Sequence, residues 1–144
     1  MARQPAALLA PRTLMENPMP FIHIRSLPFD KPLKPAAVLT GLSEDFAAAT
    51  GIALRHVTAT WSFIEPGHYA AGGVTARSQP ADSHPVLVDV LAPDFSPSQA
   101  IQGMLETIAA SIAKRARVPR ENIFIHYRRA HSGMVYDVGQ VVRW

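Results

Sequence analysis

The stretch MPFIHIRSL, at residues 19–27, opens a plan of strand, helix and strand that the chain then repeats. Its aromatic and β-branched residues predict a first strand, which ends at Pro28. Residues 31–51 predict a helix, because prolines suit its start, Gly51 suits its end and apolar residues recur at helical spacing. Those recurring residues are Leu39, Leu42, Phe46 and Ala49. Residues 54–64, LRHVTATWSFI, predict the second strand.

The second half of the chain follows the same order. Residues 84–92, HPVLVDVLA, form a nearly continuous apolar run and predict a buried strand. Residues 122–130, NIFIHYRRA, predict the fourth main strand. The tail at residues 131–144 predicts a turn followed by one or two short strands.

The helix predicted at residues 94–117 has the clearest pattern in the chain. Ser96 is a natural N-cap, Pro97 suits the first turn and Gln99 completes a capping box. An apolar stripe predicts its buried face, and it consists of Ile101, Met104, Leu105, Ile108 and Ile112. Cations in the last turn are typical of capping and solvation, with ligand binding as the alternative; they are Lys114, Arg115 and Arg117.

Two strand–helix–strand units, at about residues 20–73 and 84–144, predict one α/β (α+β) domain at residues 19–144. Because such connections are right-handed, we expect a four-stranded mixed sheet with two helices on one face. The opposite face would be open, and large apolar side chains are expected on it. These are Trp61, Val88, Val90 and Phe124. Such a face is too apolar for water, so we expect an oligomer to cover it.

The composition excludes several classes of function. Cysteine is absent, which removes thiol catalysis and disulfides and fits a reducing compartment, so we expect a cytoplasmic protein. No apolar run approaches the roughly 18 residues of a membrane helix. The net charge of +3 suits small anions, and no basic stripe with interleaved aromatic residues indicates nucleic-acid binding. The six histidines form no i,i+4 pair, so we expect no metal site.

Residues 1–18, MARQPAALLAPRTLMENP, differ from the rest and are interpreted as an N-terminal extension or leader. The apolar run AALLA is shorter than the roughly 7–15 residues of a signal-peptide core. A misplaced start codon, a leader added for expression and a genuine arm all remain open. The question matters because Met19-Pro20 itself looks like the start of a protein.

Two further motifs, in this order and spacing, resemble the tautomerase superfamily, which includes 4-oxalocrotonate tautomerase and macrophage migration inhibitory factor. GHYAAGG at residues 67–73 is similar to a glycine-rich turn of the former, and VPRENIFIHYRRA at residues 118–130 is similar to a strand of the latter. Spacing and tail look closest to an uncharacterised bacterial branch. The resemblance implies a homotrimer without a cofactor that acts on a small anionic substrate.

The resemblance also implies an N-terminal proline that acts as a base. A proline at a chain start is a secondary amine, and its ammonium form is disfavoured by burial near cations. Translation from Met19, followed by removal of the methionine, would give a free amine at Pro20. If residues 1–19 remain attached, the Pro20 nitrogen is an amide and this chemistry is absent.

The substrate-binding residues carry over less well. The family's second-strand arginine falls at Thr58, with Arg55 three residues earlier, and the arginine after the first strand falls at Asp30. His68 would polarise a carbonyl or cap its turn, and Tyr69 takes the place of a pocket aromatic. The remaining predicted site residues lie on the fourth strand, and they are Phe124, His126 and Arg128.

Three functions remain open at this point. The first is a tautomerase that moves a proton in a small enol or unsaturated keto acid, with Pro20 as the base. The second is a dehalogenase or decarboxylase-type hydratase, which needs a carboxylate near Pro20 that the spacing does not reveal. The third is a catalytically silent oligomeric or ligand-binding module whose Pro20 is blocked by the extension.

Overall fold

The structure is a computed structural model that describes residues 19–94 and 97–144. Two helices pack on a four-stranded sheet, and two small hairpins extend from it. The elements are β1 (Phe21–Ser26), α1 (Pro35–Thr50), β2 (Thr58–Phe63), β3 (Ala70–Ala71), β4 (Val74–Thr75), β5 (Val86–Pro93), α2 (Ser98–Ala116), β6 (Ile123–Ala130), β7 (Val135–Asp137) and β8 (Gln140–Val142).

The main sheet has the order β2-β1-β5-β6, which confirms the predicted mixed sheet and tandem βαβ plan. β1 is parallel to β2, β5 is parallel to β6, and the two units meet where β1 and β5 pair antiparallel. The start of β1 therefore lies beside the start of β2 and the ends of β5 and β6. We call this the Pro20 end of the sheet.

Helix α1 ends where the sequence predicts, but it begins at Pro35, four residues inside the predicted range of 31–51. Pro35 occupies the first helical position, where its fixed φ fits and no N–H is needed. Gly51 ends the helix in the left-handed region, at φ 79°, and its N–H donates to the carbonyl of Ala47. Of the four residues that recur at helical spacing, Leu42 and Phe46 are buried, Leu39 is half-buried and Ala49 is exposed.

Helix α2 begins slightly later than the capping-box pattern predicts. Pro97 lies at the N-cap position rather than in the first turn, and no side chain caps this end. The predicted N-cap, Ser96, lies outside the described residues. The predicted stripe is buried at Met104, Ile108 and Ile112, with Ile101 and Leu105 half-buried.

The predicted composition of the open face was wrong for three of its four residues. Val88 and Val90 are buried, because they pair with Ile24 and Ile22, whose side chains point toward the helices. Trp61 also packs against this core. Of the four predicted residues, Phe124 alone lies on the open face, because alternation along β6 points its side chain away from the helices.

The two helices are joined by an ion pair of Arg115, a last-turn cation whose position had predicted capping and solvation. The Asp45 carboxylate accepts hydrogen bonds from Arg115 Nε at 2.9 Å, Arg115 Nη2 at 3.0 Å and Ser111 Oγ at 2.7 Å. The Arg115 hydrogen bond, followed by that of Ser111, lowers the pKa of Asp45. Gly41 allows this contact, since a side chain there would overlap the Arg115 guanidinium.

Two features complete the architecture. Gly72 and Gly73 have φ of 59° and 79° and form the turn of the β3–β4 hairpin, which only glycine tolerates easily at both positions. β7 and β8 form the predicted C-terminal hairpin.

Among the described residues, neither helix has the length and apolar character that a membrane span requires.

Candidate active site

Pro20 lies fully buried immediately before β1. Its carbonyl accepts a hydrogen bond from the Thr58 backbone N–H at 3.1 Å, which ties the start of β1 to the start of β2. Met19, which precedes it, is also buried. In the 144-residue chain the Pro20 nitrogen is bonded to Met19 and is therefore a tertiary amide.

Two of the predicted arginines lie at the Pro20 end of the sheet. Arg55 belongs to a short 3₁₀ turn, Leu54–His56, directly before β2, and its side chain is exposed. Arg128 lies near the end of β6, where it pairs in register with Leu91, which in turn pairs with Phe21. The fold therefore brings Pro20, Arg55 and Arg128 to one end of the molecule from three separate segments.

A concavity of about 510 Å³ lies on the open face beside Arg128. All four strands contribute to its lining, through side chains that point away from the helices. These are Phe21, His23, Thr60, Ser62, Asp89, Leu91 and Arg128. His23 Nδ1 lies 2.6 Å from Thr60 Oγ1, so a hydrogen bond fixes the imidazole against β2. The site thus combines apolar walls with a few fixed polar groups, as small-molecule sites do.

Asp89 is the charged centre of this face, and the sequence analysis missed it. Its carboxylate lies 3.5 Å from Arg25 Nη2 and 3.8 Å from Arg128 Nε. Arg25 and Arg128 are thus its ion-pair partners. Period-two alternation along one strand cannot show that a neighbouring strand, here β5, contributes the carboxylate between two arginines.

The other two predicted residues of β6 lie on the same face as Arg128. His126 pairs in register with Asp89, and Phe124 pairs in register with Leu87. Both side chains are exposed, and neither lines the concavity. They form a continuation of the open face away from the Pro20 end.

No family model and no curated protein matches the sequence, but solved structures match its fold. A fused 4-OT in an asymmetric trimer is 15% identical, with a TM-score of 0.72 over 84% of this chain and 94% of that chain. N1, a member of the cis-3-chloroacrylic acid dehalogenase family, is 15% identical, with a TM-score of 0.68 over 85% and 82% of the two chains. Macrophage migration inhibitory factor of Toxoplasma gondii is 17% identical, with a TM-score of 0.62 over 83% and 97%.

The chain has the tautomerase-superfamily fold. This confirms the resemblance that the motifs predicted. At identities of 15–17% the matched structures show the fold alone, and they do not transfer an activity.

The glycine-rich turn of this tautomerase fold lies at the far end of the sheet from Pro20. His68 is exposed and lies 3.1 Å from the Glu65 carboxylate. The Tyr69 hydroxyl donates to the carbonyl of Pro85 at 2.8 Å, just before β5 begins, and burial raises the pKa of Tyr69. Within one chain, the structure therefore does not bring His68 and Tyr69 to Pro20.

A carboxylate does lie at the Pro20 end, directly after β5. Asp94 accepts a hydrogen bond from the Trp144 indole at 2.8 Å and lies 2.7 Å from His131 Nδ1. The Trp144 hydrogen bond, followed by that of His131, lowers the pKa of Asp94. Sequence spacing could not reveal this cluster, since its members lie 37 and 50 positions apart.

No metal site stands out in the part of the chain that the structure describes. Within residues 19–94 and 97–144, no three or more histidine, aspartate and glutamate side chains converge closely enough to hold an ion. The arrangement that the structure does offer is a buried proline with flanking cations. Guanidinium groups in such a place are able to bind an anion.

Proposed function

We propose that the form of this protein that begins at Pro20 is a tautomerase that moves a proton in a small enol or unsaturated keto acid. The observation that carries the proposal is the complete burial of Pro20 at the end of the sheet where Arg55 and Arg128 also lie. The tautomerase-superfamily fold supports it.

The chemistry follows from the position of the nitrogen. A prolyl amine at a chain start is a secondary amine with a lone pair, and burial and nearby cations both disfavour its ammonium form. Such an amine accepts a proton from the carbon next to a carbonyl and returns it to another atom of the same substrate. Its position directly before β1, where the Thr58 N–H donates to the Pro20 carbonyl, would keep the lone pair in a fixed place.

The arginines supply the binding half of the proposal. A guanidinium offers two parallel N–H donors to a carboxylate. Arg55 is exposed, and Arg128 has only a long contact of 3.8 Å to Asp89, so both can turn toward a bound acid. We assign Arg55 as the primary contact of the substrate carboxylate. It lies in the turn before β2, and the first residue of β2, Thr58, is hydrogen-bonded to the Pro20 carbonyl.

We also propose that the protein assembles as a homotrimer. His68 and Tyr69 lie at the wrong end of their own sheet to reach Pro20, so they would enter a site only from a neighbouring subunit. One of the structures with this fold is itself a trimer of a fused 4-OT. The exposed Phe124 and the concavity beside Arg128 would then lie between subunits.

The deciding experiment compares two forms of the chain, residues 20–144 and residues 1–144, on one panel of enols of the phenylenolpyruvate and 2-hydroxydienoate type. We expect the short form to convert them and the long form to be slower by orders of magnitude, because an amide nitrogen is not a base at neutral pH. Intact mass establishes that the short form begins at Pro20.

Variants of the short form separate the roles. Pro20→Ala keeps a primary amine and should retain some activity, whereas Arg55→Ala should mainly raise KM. Equal rates from the two forms would remove Pro20 from the mechanism. Inactivity of both forms would instead favour a silent oligomeric or ligand-binding module.

A second candidate function rests on the cluster at Asp94. The Asp94 carboxylate can only accept a hydrogen bond, so His131 Nδ1 must carry the proton that it donates. In a neutral imidazole, Nε2 then has a free lone pair that could take a proton from water. Water activation is what a hydratase or dehalogenase of this fold would need, and N1 has the same fold. Adding 3-chloroacrylate to the same panel tests this, with chloride release as the measurement.

A further inference from the structure

A second concavity, of about 490 Å³, lies at the opposite end of the sheet from Pro20, on the side of the helices. Its walls are the loop after β1, the first turn of α1 and the C-terminal end of α2. None of its lining residues belongs to the site proposed above. Any ligand here would be independent of Pro20 chemistry.

The rim of this concavity is strongly basic. Lys31, Lys34 and Arg117 are exposed, and Asp30 is the carboxylate among the lining residues. Among the described residues, none of these three cations forms a side-chain ion pair. The fourth lining cation, Arg115, is already bound to Asp45 and is held in place by it.

The N-terminal end of helix α1 does not cancel this positive charge. Lys34 is the N-cap of α1, no side chain caps that end, and the first turn carries no acidic residue. A helix N-terminus has a positive potential that favours anions and disfavours cations. With Asp30 as the carboxylate against Lys31, Lys34 and Arg117, the lining keeps a net positive charge.

The floor of the concavity is apolar. Phe29 and Leu33 are partly buried and pack against the core, and Val38 is buried. An inorganic anion would leave these surfaces unused, whereas a molecule with an apolar body and one negative end would cover the floor and pair with the rim.

We propose that this concavity binds a small organic carboxylate with an apolar tail or ring. The carboxylate pairs with Lys31, Lys34 and Arg117, and the apolar part packs on Phe29 and Leu33. The site lies beyond the proposed tautomerase site and does not depend on it.

The test titrates octanoate into the 1–144 protein and follows it by calorimetry and by backbone amide shifts. We expect saturable binding, with shifts at Ala37, Val38, Ala116 and Arg117. Octanol at the same concentration should bind far more weakly, because it lacks the charge that the rim recognises.

The matched variants change the rim without disturbing the core. Arg117 has φ 57°, so Arg117→Gly suits the backbone while it removes the side chain and its charge. With Lys34→Ala it should weaken octanoate binding about tenfold, because two of the three unpaired rim cations are lost and exposed charge pairs each contribute modestly. Lys114→Ala, an exposed cation on the same turn that does not line the concavity, should leave affinity unchanged.

Several results would overturn the proposal. They are the absence of saturable binding, equal affinity for octanol, equal loss in the Lys114→Ala control, and amide shifts at Phe21 and Leu91, which would place the probe on the open face. The shift map uses the unmodified protein, so it decides even if the double variant folds poorly. Repeating the titration with Pro20→Ala keeps the result separate from catalysis.

Discussion

Asp94 shows how a single carboxylate can hold two distant segments of the chain together. Its carboxylate accepts a hydrogen bond from the Trp144 indole N–H at 2.8 Å and lies 2.7 Å from His131 Nδ1. The backbone N–H of Trp144 also donates to Ser132 Oγ at 2.9 Å. Trp144 is thus attached to the Pro20 end of the sheet. If Asp94 also orients His131 for water activation, the same contacts would serve structure and chemistry.

The lowered pKa of Asp94 predicts a pH dependence. A carboxylate whose pKa is lower in the folded state stabilises that state above its unfolded pKa, and the contribution is lost as the pH falls through the folded pKa. We expect the Trp144 indole N–H resonance to move toward its unbonded position on acidification, before the domain unfolds. Asp94→Asn should remove this titration, and a resonance that stays constant in the unmodified protein would contradict the assignment.

At the scale of the element, helix α2 contributes a continuous stripe to the core. Ile108 and Ile112 are fully buried in the same core cluster as residues of β1 and β5, and Met104 extends the stripe. The stripe faces the sheet because its members recur every three to four residues along the helix.

Ile108→Asp should therefore leave little soluble protein. An unpaired charge buried in this core costs several kcal/mol or more, which is a large share of a domain's stability. Gln102→Asp is the control, because it places the same charge on the exposed side of α2. Normal yield and melting temperature for Ile108→Asp would show that the buried face of the helix is wrongly assigned.

The sequence predicted the elements well because periodicity and end signals are local. Gly51 stops α1 and the apolar stripe orients α2, and both depend on neighbouring residues alone. The face of β5 was predicted wrongly because a continuous apolar run does not reveal which alternate residues face the helices. Pairing with β1 decides this, since it places Val88 and Val90 beside Ile24 and Ile22.

The candidate site was less predictable for the same reason. Asp89 lies between Arg25 and Arg128 only because three strands meet in one register. The Asp45–Arg115 pair likewise joins two helices that lie far apart in sequence. Such contacts between distant residues carry no periodic pattern, whereas Pro20 could be singled out from its neighbour Met19 and from the family resemblance.

At the scale of the whole molecule, the open face is a mixture of charge and apolar surface. Asp89 is paired with two arginines, whereas Phe21 and Phe124 are 43% and 58% exposed. Exposed aromatic residues on one side of a sheet are typical of a surface that a partner covers.

The trimer proposal therefore predicts separate effects on assembly and on folding. Phe124→Asp should produce monomers that keep their secondary structure, because Phe124 lies outside the core of the single chain. Sedimentation velocity and circular dichroism at micromolar concentration would measure the two effects. Thr40→Asp places the same charge on the exposed side of α1 and should leave the trimer intact. A stable monomer of the unmodified protein at that concentration would contradict the proposal, and so would a trimer that tolerates Phe124→Asp as well as Thr40→Asp.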